Sequence, residues 1–70
     1  MEEFFEGIET NKYNYNIHRV NIGEFDGIRW DYFIETTDKN GEQIDCDSTH
    51  YLKDARVIQK MMIKYYEGDK

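Results

Sequence analysis

Residues 28–37, IRWDYFIETT, alternate along their length and run directly into Asp38-Lys39-Asn40-Gly41-Glu42. Ile28, Trp30, Tyr32 and Ile34 fall on one side; Arg29, Asp31, Phe33 and Glu35 fall on the other, the period of two that marks a strand. Asn40-Gly41 is the strongest short hairpin signal, because both residues accept positive φ at low cost. QIDCD, residues 43–47, reads as the return strand, with Ile44 and Cys46 on one face and Gln43, Asp45 and Asp47 on the other. These residues commit the chain to an antiparallel meander.

The remaining segments are placed around that hairpin. YNYNIHRVNI, residues 13–22, alternates through Tyr13, Tyr15 and Ile17, then changes parity at Val20 and Ile22, which predicts a strand with a bulge or a twist near His18. GEFDG, residues 23–27, is a loop by its two glycines. EEFFEGIE, within residues 2–10, gathers Phe4, Phe5 and Ile8 on one arc and acids in the first turn, the pattern of a short helix that Gly7 weakens. A final helix begins after Ser48 or Thr49, either of which can cap it, and stops at Gly68. Tyr51, Ala55, Ile58, Met62, Tyr65 and Tyr66 share an arc of about 100°, with Lys53, Arg56, Lys60 and Lys64 within about 80° on the opposite side. The expected fold is α+β: a three-stranded antiparallel β-meander packed against a C-terminal α-helix, with a short N-terminal helix. Tyr15, Ile17, Val20, Trp30, Tyr32, Ile34, Ile44, Ala55, Ile58, Met62 and Tyr65 form most of its expected core.

Seventy residues make one small domain, and 16% aromatic content supplies the bulky side chains that so small a core needs. Cys46 is the only cysteine, so no internal disulfide is expected and a reducing compartment is the default. The acidic N-terminus lacks the features of a secretory signal, and no run approaches the roughly 20 apolar residues that span a bilayer. The chain therefore reads as cytoplasmic, in the host's cytoplasm if it is phage-encoded. His18 and His50 lie in no motif that pairs them with a nucleophile, and neither Ser48 nor Cys46 has an activating context. Asp45, Cys46, Asp47 and His50 carry metal-ligand atoms, but in a strand Cys46 points away from both aspartates. No enzyme activity, metal or other cofactor is expected.

Charge is unevenly distributed. Residues 1–51 hold twelve acids and four bases, net −8, whereas residues 52–66 hold four bases and one acid, net +3. Asp31, Glu35, Asp45 and Asp47 read as one outward sheet face, extended by Glu24 and Asp26 at its end and carrying Phe33 as an apolar anchor. Carboxylates on strands about 4.8 Å apart repel one another, so keeping them together suggests use. Such an array can occupy a groove lined with lysine and arginine in place of a phosphate backbone. The expected partner is a basic nucleic-acid-handling protein, and the expected role is that of a non-enzymatic inhibitor. Small acidic inhibitors of phages and mobile elements, including DNA-mimicking antirestriction and anti-CRISPR proteins, are similar in charge and size.

The order helix, three-stranded meander, helix also resembles a double-stranded-RNA-binding domain over nearly the whole chain. Leu52-Lys53-Asp54-Ala55-Arg56 is similar to that family's KKxAK signature at the start of its last helix. Lys53, Ala55 and Arg56 match, and Leu52 stands in place of the first lysine. The resemblance implies an alternative in which Lys53, Arg56, Lys60 and Lys64 bind structured RNA, or the last helix mediates dimerisation. The elements that reach minor grooves in that family are acidic here: Glu2, Glu3, Glu6 and Glu9, then Glu24-Phe25-Asp26-Gly27. NGEQI and the helix after it also resemble YegP-like β-meander-plus-helix domains. A homodimer is compatible with these faces, and no membrane partner is expected.

Overall fold

The computed structural model describes residues 2–23, Gly27 and residues 29–68. Among these residues four strands precede one helix: β1 Glu2–Glu9, β2 Asn14–Asn21, β3 Trp30–Thr37, β4 Gln43–Thr49 and α1 Leu52–Glu67. All strands are antiparallel in one sheet of order β1-β2-β3-β4, and α1 packs on β2, β3 and β4. The α+β class is as expected. The N-terminal helix is not: residues 2–9 are a fourth strand, paired to β2 from Glu2↔Val20 to Glu9↔Asn14. Helical pattern in EEFFEGIE amounted to three apolar residues around a glycine. Pairing along β2 satisfies a whole row of backbone groups instead, and local propensity yields to it.

Two shifts set the registers, one in β1 and one between Thr36 and Thr37 where β3 meets β4. In β1 the pairing shifts between Phe4 and Glu6, so Phe5 and Glu6 together oppose Ile17. Phe5 then packs against the core while Glu6 reaches the helix. The irregularity near His18 thus lies in the partner strand: β2 itself has no bulge and pairs with β3 without interruption from Asn14↔Thr37 to Asn21↔Trp30. The parity change in the sequence has another cause. Val20 stays on the face away from the helix, and Arg19 takes the helix-facing position with its guanidinium over Trp30 at 4.1 Å and Phe5 at 5.1 Å.

The β3–β4 turn is a three-residue loop, Lys39-Asn40-Gly41, rather than a two-residue one. Gly41 donates to the Asp38 carbonyl and Asp38 to the Glu42 carbonyl, both at 3.0 Å. The Asp38 carboxylate accepts from the amides of Asn40 and Glu42 at 2.9 Å. Gly41 has φ of 89°, so Gly41→Ala is expected to cost about 1–2 kcal/mol in thermal or urea unfolding, with Gly41→Asn recovering part of it.

The core is a single layer between sheet and helix. Tyr15, Ile17, Ile34 and Ala55 are fully enclosed and Met62 nearly so, with Phe5, Tyr13, Tyr32, Ile58, Ile63 and Tyr66 around them. Two polar side chains are enclosed with them. Gln59 donates to the Tyr15 carbonyl at 2.9 Å, and the Thr36 hydroxyl donates to the Met62 sulfur at 3.2 Å. Four expected core members lie elsewhere: Val20 on the opposite sheet face, Trp30 half-buried under Arg19, Ile44 39% exposed and Tyr65 77% exposed. Tyr51, not Ser48 or Thr49, is the N-cap and makes no side-chain capping bond; only His50 and Tyr51 separate β4 from α1. Gly68 closes the helix in the left-handed conformation, as expected.

Candidate functional site

One helix covers one side of the sheet, so the other side is open among the described residues. Partners directly opposite in a ladder share a face. Ile34 faces the helix, so Asn16, His18 and Val20 on β2 and Asp31, Phe33 and Glu35 on β3 point the other way, with Glu2 and Phe4 beside them on β1. Across the middle runs an aromatic row. Phe4 meets His18 edge-on at 5.9 Å, and His18 leans on Phe33 at 6.2 Å.

His18 is hydrogen-bonded within this row. Its Nε2 lies 2.7 Å from Glu35 Oε2 and its Nδ1 3.5 Å from Glu2 Oε2, and Asn16 donates to the same Glu35 oxygen at 3.4 Å. Both the imidazole and Glu35 are only 18% exposed, since the flanking rings shelter them. A shallow groove of about 290 Å³ adjoins the row, lined by Glu2, Val20, Asp31, Phe33 and Ser48 among others. Asp31 pairs with His50 at the end of the sheet. Phe4 itself is 60% exposed.

The expected seven-residue acidic face is thus divided. Asp31, Phe33 and Glu35 share the open face as expected. Asp45 pairs with Thr36 and Asp47 with Ile34, which puts both aspartates on the helix side. The outward assignment of Asp45 and Asp47 is corrected accordingly, as is the inward one of Cys46. Asp45 Oδ2 accepts from the Tyr66 hydroxyl at 3.0 Å; burial, together with this bond, pushes the Tyr66 phenol up. Glu24 and Asp26 lie outside the described residues. Sequence reasoning misses Glu2, Phe4 and His18, because a helix expected over residues 2–10 and an irregularity expected near His18 hide the face they share.

The acids are not gathered on one face as the sequence suggested, and the basic stripe of the helix is partly paired with them. Arg56 forms a two-pronged pair with Glu6, at 2.9 and 3.0 Å, and this bond holds the Glu6 carboxyl below the usual carboxylate range. Arg19 pairs with Glu3 at 2.8 Å and Lys39 with Glu9 at 3.2 Å. Lys53, Lys60 and Lys64 are exposed and, among the described residues, form no ion pair. The solvent half of α1 therefore has two flanks. Lys53, Arg56, Lys60 and Lys64 lie toward β1, while Val57, Ile58, Met61 and Tyr65 lie toward β4.

No protein family, curated protein or solved structure matches this chain. Among the described residues no group of three or more His, Cys, Asp or Glu side chains is arranged to hold a metal ion. Both nitrogens of His18 face carboxylates, and neither Ser48 nor Cys46 donates to an imidazole among the described residues. Among those residues no helix is long and apolar enough to cross a membrane.

Proposed function

We propose that this chain is a non-enzymatic binding protein whose open sheet face docks on a cationic surface of a nucleic-acid-handling protein and blocks it. The observation that carries this reading is the Phe4–His18–Phe33 row set among the carboxylates of Glu2, Asp31 and Glu35. Exposed aromatic area gives an interface its desolvated centre, and the surrounding acids select a partner of opposite sign. A second copy is a poor occupant, because apposing two such faces sets acid against acid. Nucleic-acid-handling proteins are the partner class favoured, since their working surfaces concentrate lysine and arginine. The array is narrower than a sheet-wide phosphate mimic, so the aromatic row contributes to affinity alongside charge.

The test is capture from a lysate at two ionic strengths, followed by competition with duplex DNA. Captured proteins are expected to be cationic nucleic-acid binders, released by DNA and by salt. Asp31→Lys with Glu35→Lys, and separately Phe4→Ala with Phe33→Ala, should each lower capture at least about tenfold. Equal capture by both double variants would exclude the open face.

The alternative reading, an RNA-binding or dimerising last helix, draws on the exposure of Lys53, Lys60 and Lys64 without ion pairs among the described residues. Against it, Arg56 is engaged with Glu6 and the first element of the resembled domain is a strand here. Retention of duplex RNA in a gel shift at moderate salt, lost on Lys53→Glu with Lys60→Glu, would favour it; light scattering reads out dimerisation.

A further inference from the structure

The second exposed surface is the seam between β4 and α1. β4 is the last strand of the sheet, so its outer side has no neighbouring strand among the described residues. Alternate amides of an antiparallel strand point toward its partner and away from it. The amides of Cys46 and Ser48, two residues apart, donate to the carboxylates of the residues just before them, Asp45 and Asp47, each at 2.8 Å. These are therefore the outward amides, and the two aspartates shield an edge that would otherwise recruit any passing strand.

Beside this edge runs the apolar flank of the helix. A groove of about 310 Å³ has Asp45, Cys46 and Asp47 as one wall and Ile58, Met61 and Tyr65 as the other. Met61 and Tyr65 are 63% and 77% exposed, and Val57 beyond them 54%. Free main chain, an apolar wall and two carboxylates therefore adjoin one another.

The chemistry of this seam selects its occupant. A neutral strand that paired with the Cys46 and Ser48 amides would displace two carboxylates, leaving Asp45 with the Tyr66 hydroxyl alone and Asp47 without a donor. A second copy of β4 would bring four aspartates onto one face of a continuous sheet. Nucleic acid would meet the same carboxylates. A lysine- or arginine-bearing strand avoids all three costs. Its cationic heads replace the amides as partners of Asp45 and Asp47, and its aliphatic stems lie on Met61 and Tyr65. The Tyr65 ring adds a cation–π surface.

We propose that the β4 edge and the adjoining flank of α1 bind an extended cationic segment of a partner protein as a fifth strand, with Asp45 and Asp47 acting as a gate that opens to positive side chains. Peptides that add a strand to a sheet edge draw affinity from main-chain bonds and specificity from alternate side chains. Here the alternate positions facing the helix are the cationic ones. This surface is separate from the open face and does not depend on what binds there.

The probe is an eight-residue peptide alternating arginine with threonine, alongside its glutamate-for-arginine counterpart, titrated into the labelled full chain by NMR. The arginine peptide is expected to shift Cys46, Ser48, Met61 and Tyr65, to slow exchange of the Cys46 and Ser48 amides, and to weaken as salt rises. The glutamate peptide should do none of these. Asp45→Asn with Asp47→Asn should weaken binding at least about tenfold. Met61→Lys, at an exposed position that folding tolerates, should do the same. Asp31→Lys with Glu35→Lys should leave it intact, which separates this surface from the open face. Absence of saturable binding, shifts confined to the open face, or undiminished affinity in both the Asn and the Met61→Lys variants would overturn the proposal.

Discussion

Ile34→Ala is expected to lower stability by about 2–5 kcal/mol, seen as a large fall in the urea midpoint or the loss of a cooperative transition. Ile34 is fully enclosed in the middle of β3, between Ile17 on β2 and the helix layer that includes Ala55 and Met62. Removing it sacrifices buried area and leaves a void that a single-layer core has few neighbours to fill. A chain of 70 residues commonly has only roughly 4–10 kcal/mol of stability, so one such cavity consumes a large share. Val20→Ala, which removes an aliphatic group from the opposite face of the same sheet, is expected to cost less than about 1 kcal/mol. Equal losses in the two variants would contradict the assignment of the faces.

The second large effect is expected at the helix end. Glu67 closes α1, where the helix dipole disfavours a carboxylate. Two donors offset this: the Tyr15 hydroxyl at 2.6 Å and the Thr10 hydroxyl at 2.7 Å, both to Oε2. They join the β1–β2 turn, the most enclosed tyrosine and the chain's last helical turn at one oxygen. Tyr15→Phe is expected to cost about 1.5–3 kcal/mol, the range for a hydrogen bond to a charged group.

The same bonds make stability depend on pH. Hydrogen bonds from Tyr15, then Thr10, hold the Glu67 carboxyl below its ordinary value of 4.5, and the Arg56 bond does so for Glu6. The unfolded chain therefore takes up these protons before the folded chain does. The contribution is present above the ordinary carboxylate value and is lost as pH falls through the depressed folded ones. Burial, then the Glu67 bond, pushes the Tyr15 hydroxyl well above its ordinary 10.0, so its contribution is full below that value and is lost as pH rises through the folded one. Thermal midpoints should form a plateau with an acid and an alkaline limb. Tyr15→Phe should make both limbs shallower, whereas limbs identical to the parent's would disprove the coupling.

Much of this architecture can be read from short stretches. Alternation in β3, the polar turn at residues 38–42 and the amphipathic run ending at Gly68 are local signals with local causes. The N-terminal strand is not legible in this way, since its stabilising partner is β2 rather than its own periodicity. The orientation of β4 is more instructive. Following its apolar residues inward placed Ile44 and Cys46 toward the core. Counting back from a two-residue turn at Asn40-Gly41 pairs Ile34 with Asp47, and opposite partners share a face, so the register pointed the other way. The observed turn is longer, and a second shift between Thr36 and Thr37 restores that same pairing. Ile44 falls at this shift, which explains its exposure.

By itself, the amino-acid order determined that there would be a hairpin, a long helix after it and an α+β arrangement, because each depends on neighbours within a few residues. Only the tertiary structure decided which carboxylates stand together, that Glu2 and Phe4 join Asp31 and Glu35, and that Asp45 and Asp47 guard an edge. Period-two alternation shows that a strand has two faces but not which one is covered. That choice is made by cross-strand register and by where the single helix lies, both set by partners distant in the chain.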